Sequence, residues 1–211
     1  MKFIPVTILI LLFASIAYAG SLNEQIEAIQ KTYQDIETIS ADFTQTTYVK
    51  LIDKTVTKQG KFYFKKGGKL RIEYKGDPEK HYVSDGTKLW IYNVGDKASQ
   101  QEYELNDETI PKEALSFLAG FGKLNEEFKI KKSQAFENVE QNFSALELIP
   151  KNKSAQYKTL DTLFNQDNYL VKLRVRNPSG NITNYTFTNI QINQNLEDGF
   201  FQVNKKISNQ K

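Results

Sequence analysis

Gly60-Lys61-Phe62-Tyr63-Phe64-Lys65-Lys66-Gly67-Gly68-Lys69-Leu70-Arg71-Ile72-Glu73-Tyr74 decides how this chain folds. Phe62 and Phe64 alternate with Lys61 and Lys65, and Leu70, Ile72 and Tyr74 alternate with Lys69, Arg71 and Glu73. A period of two is the mark of a strand with one face buried. Gly67-Gly68 stands between the two runs and supplies the backbone freedom of a tight turn, so the stretch predicts an antiparallel hairpin.

The same grammar extends in both directions. Candidate strands are Ala41–Tyr48, Val56–Lys65, Lys69–Tyr74, His81–Ser84, Lys88–Asn93 and Gln100–Glu104, followed by Phe128–Lys131, Phe143–Ile149, Gln156–Phe164, Tyr169–Arg176, Ile182–Ile192 and Phe200–Val203. Gly76-Asp77-Pro78, Asp85-Gly86, Gly95-Asp96, Asn165-Gln166-Asp167-Asn168 and Asn177-Pro178-Ser179-Gly180 separate them as turns. The alternation of Val171, Leu173 and Val175 with Lys172, Arg174 and Arg176 predicts one wet face and one buried face.

Two helical segments interrupt the strands. Ser21-Leu22-Asn23-Glu24 reads as a capping box. Leu22, Ile26, Ile29, Tyr33 and Ile36 follow on one stripe, which predicts a helix from Leu22 to Glu37. Pro111 opens the second segment, with Ala114, Leu115, Phe117, Leu118 and Phe121 apolar and Gly120 and Gly122 at its end. The expected fold is mainly β with α: a half-open antiparallel β-barrel of about ten to eleven strands, with a helical lid over the concave face.

Met1-Lys2-Phe3 leads into an apolar run that ends at Ala17-Tyr18-Ala19, the pattern of a secretory signal peptide cut after Ala19. The run is short for a membrane span of about 20 apolar residues. Residues 1–19 are therefore expected to be removed, leaving one domain over 20–211. Loss of Lys2 leaves 27 basic against 25 acidic residues, too balanced to argue for nucleic acid. There is no cysteine, so no disulfide staples the fold and no lipid anchor attaches through a thiol.

Catalytic chemistry finds no foothold. His81 is the sole histidine and no serine or cysteine motif partners it, so it reads as a strand residue. One histidine without cysteines gives no metal-ligand spacing. Glu126-Glu127 and Asp107-Glu108 read as solvated faces, although two acids could still meet in the fold. Gly67-Gly68 is a turn and not a phosphate loop. Asn-X-Ser/Thr triplets at Asn142, Asn152, Asn181 and Asn184 matter only in a host that glycosylates. What the chain has in abundance is aromatic residues, 14 Phe, 11 Tyr and one Trp, many on predicted strands. They are either ordinary core or the apolar lining of a binding face.

Ala41-Asp42-Phe43-Thr44-Gln45, Gly60-Lys61-Phe62-Tyr63-Phe64, Leu70-Arg71-Ile72-Glu73-Tyr74, Val83-Ser84-Asp85-Gly86-Thr87-Lys88-Leu89-Trp90-Ile91-Tyr92 and the stretch from Asn189 through Phe201 resemble, in order and spacing, the LolA family of periplasmic lipoprotein carriers. Ser-Asp-Gly-x-x-Leu-Trp-x-Tyr is the most specific part. The resemblance implies an incomplete barrel with a helical lid and no cofactor, metal or catalytic residue. Acylated lipoproteins would be taken from an inner-membrane LolCDE-type ABC transporter across the periplasm to an outer-membrane LolB-type acceptor, by a carrier expected to be a monomer. A carrier or sensor of another lipid or glycolipid is the alternative in the same structural class. An envelope enzyme or a sheet-edge interaction module is the alternative outside it.

On this reading the lining comprises Phe43, Phe62, Phe64, Leu70, Ile72, Tyr74 and Trp90, on period-two faces of adjacent strands. The lid comprises Leu22, Ile26, Ile29 and Tyr33 with Leu115, Phe117 and Leu118. The family's lid-holding arginine, which precedes a proline, falls at Lys66, whose ammonium can donate to carbonyls but lacks the planar fork of arginine. The family's closing Phe-x-Phe-x-x-Pro is here Phe200-Phe201-Gln202-Val203-Asn204-Lys205, without the proline.

Overall fold

A computed structural model of the chain describes residues 21–104, 124–152 and 157–203. The expected signal peptide and the helical segment expected from Pro111 lie outside the described residues. Eleven strands form one antiparallel sheet: β1 (Thr38–Val49), β2 (Lys54–Lys65), β3 (Lys69–Tyr74), β4 (Lys80–Asp85), β5 (Lys88–Asn93), β6 (Asp96–Glu104), β7 (Phe128–Lys132), β8 (Ser144–Pro150), β9 (Thr159–Phe164), β10 (Leu170–Arg176) and β11 (Ile182–Ile192). Their order is β6-β5-β4-β3-β2-β1-β11-β10-β9-β8-β7. Two meanders are thus joined by the pairing of β1 with β11, and the sheet does not close on itself. This is the predicted mainly-β architecture, an open barrel with short helices.

Turn chemistry sets the hairpins. Gly67 and Gly68 (φ 88° and 76°) turn β2 into β3, and Gly86 (φ 98°) turns β4 into β5. These are left-handed conformations that cost a side-chain-bearing residue about 1 kcal/mol or more. Asn189 (φ 52°) stands at the irregularity where the β1–β11 register shifts between Ser40 and Asp42. Its amide donates to the Asp42 carboxylate at 2.7 Å. That bond, with the Lys61 ion pair, holds the Asp42 carboxyl below its usual range.

The first helix, α1 (Leu22–Gln34), begins with the predicted capping box: Glu24 N–H donates to Ser21 Oγ and Ser21 N–H donates to Glu24 Oε2 at 2.7 Å. It stops at Gln34, three residues short of the predicted Glu37. Glu37 N–H donates instead to Asn193 Oδ1 at 2.8 Å and Thr38 already pairs with Lys65, so the sheet claims these residues. Ile36 is buried, but as a linker residue and not as part of the helical stripe.

A second difference lies at the other end of the domain. Phe200 and Phe201, expected on a strand, belong to a 3-10 turn over Asp198–Phe201. The chain leaving β11 crosses the face of β1–β4 rather than pairing at an edge. A short helix, α2 (Leu124–Glu127), precedes β7 and meets α1 where Asn125 N–H donates to Gln30 Oε1 at 3.3 Å.

Candidate functional site

Strand register decides which side chains share a face. Phe62 pairs with Ile72 and Ile72 with Tyr82; Phe64 pairs with Leu70 and Leu70 with Ser84. Phe43 pairs with Gly60, and Gly60 with Tyr74. Phe43, Phe62, Phe64, Leu70, Ile72 and Tyr74 therefore point to one side of the sheet. They meet there in a single apolar cluster together with Ile36, Ile39 and Tyr82, and Leu70 is 0% exposed. Across the β1–β11 pairing the same face continues through Tyr185 and Phe187 into Leu173, Val175, Leu160, Leu146 and Leu148.

Aromatic rings carry the face from one meander to the other. Phe43 meets Tyr74 edge-on with centroids 5.2 Å apart, Tyr74 meets Tyr82 at 5.8 Å, and Phe43 meets Tyr185 at 6.3 Å. Tyr185 stacks on Phe187 at 6.2 Å, and Phe187 meets Phe62 at 6.4 Å. Gly60 makes room for this: a Cβ there would lie 2.6 Å from the Phe43 ring and 2.2 Å from the Glu73 carbonyl oxygen.

Trp90 is placed elsewhere. It pairs with Val83, which pairs with Arg71, which pairs with Tyr63, so it stands on the opposite side of the sheet from Phe62 and Ile72. It is buried there, 5% exposed, and its indole N–H donates to Glu102 at 2.9 Å. That outer face has its own cover. Lys65 donates to the Leu196 carbonyl at 2.7 Å, and Lys65 and Lys69 grip Asp198 at 2.8 and 2.6 Å. Arg71 donates to the Phe200 carbonyl at 3.2 Å beneath the Phe200 ring, whose edge meets Tyr63. Phe201 is 0% exposed. The tryptophan of the most family-specific motif thus stands on the strap's side of the sheet and not on the inner face.

The α1 residues expected to form the lid face the sheet. Ile26 and Ile29 are buried against Leu146, Leu148, Leu160, Leu173 and Val175, with Leu22 and Tyr33 packed beside them. A spacing of four, three and four residues puts all four on one helical face. Tyr33 borders both apolar clusters, and its hydroxyl accepts the Leu170 N–H at 3.1 Å. Burial pushes the Tyr33 phenol above its ordinary range, so it stays neutral under the cover. Leu115, Phe117 and Leu118 lie outside the described residues. Lys66, in the β2–β3 turn, donates through Nζ to the Gln34 carbonyl at 2.8 Å and to Glu37 at 2.6 Å. It caps the C-terminal end of α1, where free carbonyls and the helix dipole favour a cation.

Strands β8–β10 add to the inner face residues that the sequence does not single out. Leu146 and Leu148 alternate with Glu147 along β8, and Leu160 lies on β9, which is buried on both faces from Leu160 to Phe164. In β10 a bulge at Leu170–Lys172 breaks the expected alternation, so Leu170 and Leu173 are buried and Val171 is not. Among the described residues, no group of three or more His, Asp or Glu side chains is placed to hold a metal ion. No described helix is long and apolar enough to cross a membrane.

A family model described as outer membrane lipoprotein carrier protein LolA matches residues 34–204, a span that takes in all eleven strands. The outer-membrane lipoprotein carrier protein of Neisseria meningitidis is 26% identical over 188 residues, covering 89% of this chain and 86% of that protein. That of Legionella pneumophila is 25% identical over 199 residues, covering 93% and 92%. A crystal structure of a LolA superfamily protein from Nitrosomonas europaea aligns with a TM-score of 0.48 at 11% identity, covering 88% of this chain and 99% of that one.

Proposed function

Because this chain belongs to the LolA family of outer-membrane lipoprotein carriers, we propose that its inner apolar face receives the acyl chains of its cargo and that α1 is the cover they displace. The protein is a lipoprotein carrier, a transport protein and not an enzyme, and carriers of this family are periplasmic. Lipoprotein cargo follows from the family. The site residues, the hand-off partners and the removal of residues 1–19 are our reading.

The observation that carries the proposal is the continuity of the buried face, from Tyr74 and Phe43 across Tyr185 and Phe187 to the residues beneath α1. An acyl chain of about 16 carbons costs roughly 12 kcal/mol to keep in water, at about 0.8 kcal/mol per methylene. Such chains cannot cross an aqueous compartment exposed, and an empty carrier cannot leave an equal area open. Burying Ile26 and Ile29 holds α1 down by about 3–6 kcal/mol, from roughly 1.5–3 kcal/mol per side chain. One acyl chain outweighs that. Net affinity is then the difference between cargo burial and lid burial, which leaves the cargo able to pass to a better acceptor.

Phe43, Phe62, Phe64, Leu70, Ile72 and Tyr74 form the lining in this account, and Leu22, Ile26, Ile29 and Tyr33 the described part of the lid. The carrier loads from a LolCDE-type transporter, unloads to a LolB-type acceptor and works as a periplasmic monomer after cleavage behind Ala19. Depleting the protein in its host and fractionating the envelope tests this. Lipoproteins are expected to accumulate in the inner membrane, and an unchanged distribution would overturn the proposal.

A further inference from the structure

We infer that the β1–β2 hairpin tip, Lys50-Leu51-Ile52-Asp53-Lys54, is a docking element that inserts into the headgroup region of an anionic lipid bilayer. Among the described residues the large aliphatic side chains left in water are Leu51 (93% exposed), Ile52 (57%), Val56 and Val94. All four belong to one end of the sheet. Leu51 and Ile52 form the turn after β1, Val56 is near the start of β2, and Val94 lies in the β5–β6 turn. Single exposed leucines need no explanation, but Leu51 and Ile52 adjoin at the tip with Val56 on the strand behind them, and adjoining exposed aliphatic groups mark a contact surface.

The tip is held in that exposed shape. Lys50 N–H donates to Asn181 Oδ1 at 3.0 Å, tying the turn to the neighbouring β10–β11 loop. Asp53 takes the left-handed conformation (φ 48°), and its carboxylate accepts the Tyr48 hydroxyl at 2.9 Å. Beyond Gly60, where pairing with β3 ends, β2 runs back to Lys54 with no strand on its far side among the described residues. Those six residues, 54–59, set the tip about 20 Å past the end of β3 at roughly 3.3 Å per residue. Leu51 is therefore presented rather than left over.

The flanking charges choose the partner. Lys50 and Lys54 are exposed on either side of the two aliphatic residues, and the single carboxylate between them already holds a hydroxyl. Lys54 also blunts the bare β2 edge against strand pairing, but edge protection does not require Leu51 and Ile52 outside. An apolar tip flanked by two ammonium groups fits the boundary between acyl chains and anionic headgroups. The inference goes beyond the carrier reading, since the tip lies outside the inner apolar clusters.

Co-sedimentation of the exported protein with phosphatidylglycerol–phosphatidylethanolamine vesicles, against phosphatidylcholine vesicles, tests the assignment. The wild type is expected to bind the anionic vesicles preferentially. Leu51→Ser with Ile52→Ser should lower that binding about tenfold or more. Lys50→Gln with Lys54→Gln should remove the preference for anionic lipid at low salt, each lysine accounting for roughly fivefold. Apolar-dye binding by the inner face, measured in parallel, should be unchanged in both variants, so a failure of the carrier reading would show separately. Equal binding by wild type and tip variants overturns the inference. So does a wild type that binds neither vesicle, and in that case lost cargo transfer by the tip variants would point to a protein partner.

Discussion

The ammonium of Lys66 donates to the main-chain oxygen of Gln34 at 2.8 Å, so the β2–β3 turn holds the last residue of α1. The same ammonium pairs with Glu37 at 2.6 Å, but both partners are largely exposed. Such contacts are worth at most about 1 kcal/mol. Lys66→Leu should therefore raise the open fraction no more than about fivefold, read as increased fluorescence of an apolar dye. Unchanged dye binding would remove Lys66 from the latch.

Ile29, on the sheet-facing side of α1, is 0% exposed. Ile29→Ala should lower stability by about 2–5 kcal/mol if the lid stays closed over the void. It should cost much less if the lid simply lifts, because the lost contacts are then those of the closed state alone. Denaturant midpoints together with dye binding separate the two. The account expects a small loss of stability with a marked gain in dye binding.

Gly60 carries no side chain where the Phe43 ring and the Glu73 carbonyl crowd its position. Gly60→Ala should destabilise by about 1–3 kcal/mol, the usual cost of overpacking. It should also shift the Phe43 ring off Tyr74, seen as a change in near-ultraviolet circular dichroism. A fully tolerated alanine would mean that the ring can move freely.

Acid should weaken the outer strap as the Asp198 carboxylate takes a proton. Hydrogen bonds from Lys65 and Lys69 hold the Asp198 carboxyl down at about 2, against an ordinary 3.8. A carboxyl lowered in the folded state contributes stability that is fully present above its unfolded value and is lost as pH falls through the folded one. The difference in stability between wild type and Asp198→Asn should thus be constant at pH 5 to 7. It should shrink from about pH 4 and be gone only about a unit below pH 2. A difference that persists below that range would mean the clamp does not depend on the ionised carboxylate.

Strand positions were legible because each turn carries its own chemistry, and glycine or asparagine at positive φ needs no tertiary context to be read. The capping box fixed the start of α1, but its end was set by Asn193, a residue far away in sequence that captures Glu37. Trp90 could not be assigned to a face from its motif. Its parity relative to Ile72 depends on two intervening hairpin registers, and one residue of offset reverses the face. Phe200 and Phe201 looked like a strand because aromatic residues favour strands. They pack on the outer face as a 3-10 turn because Asp198 and Arg71 pin them there.

In the proposed arrangement, fatty tails enter on the side of the sheet that holds Ile72. A photo-reactive residue placed at Ile72, and separately at its neighbour Arg71 on the outer face, tests it most directly. After loading with an acylated lipoprotein and illumination, the account predicts cross-links from position 72 and none from position 71. Capture from position 71 with none from 72 would contradict it.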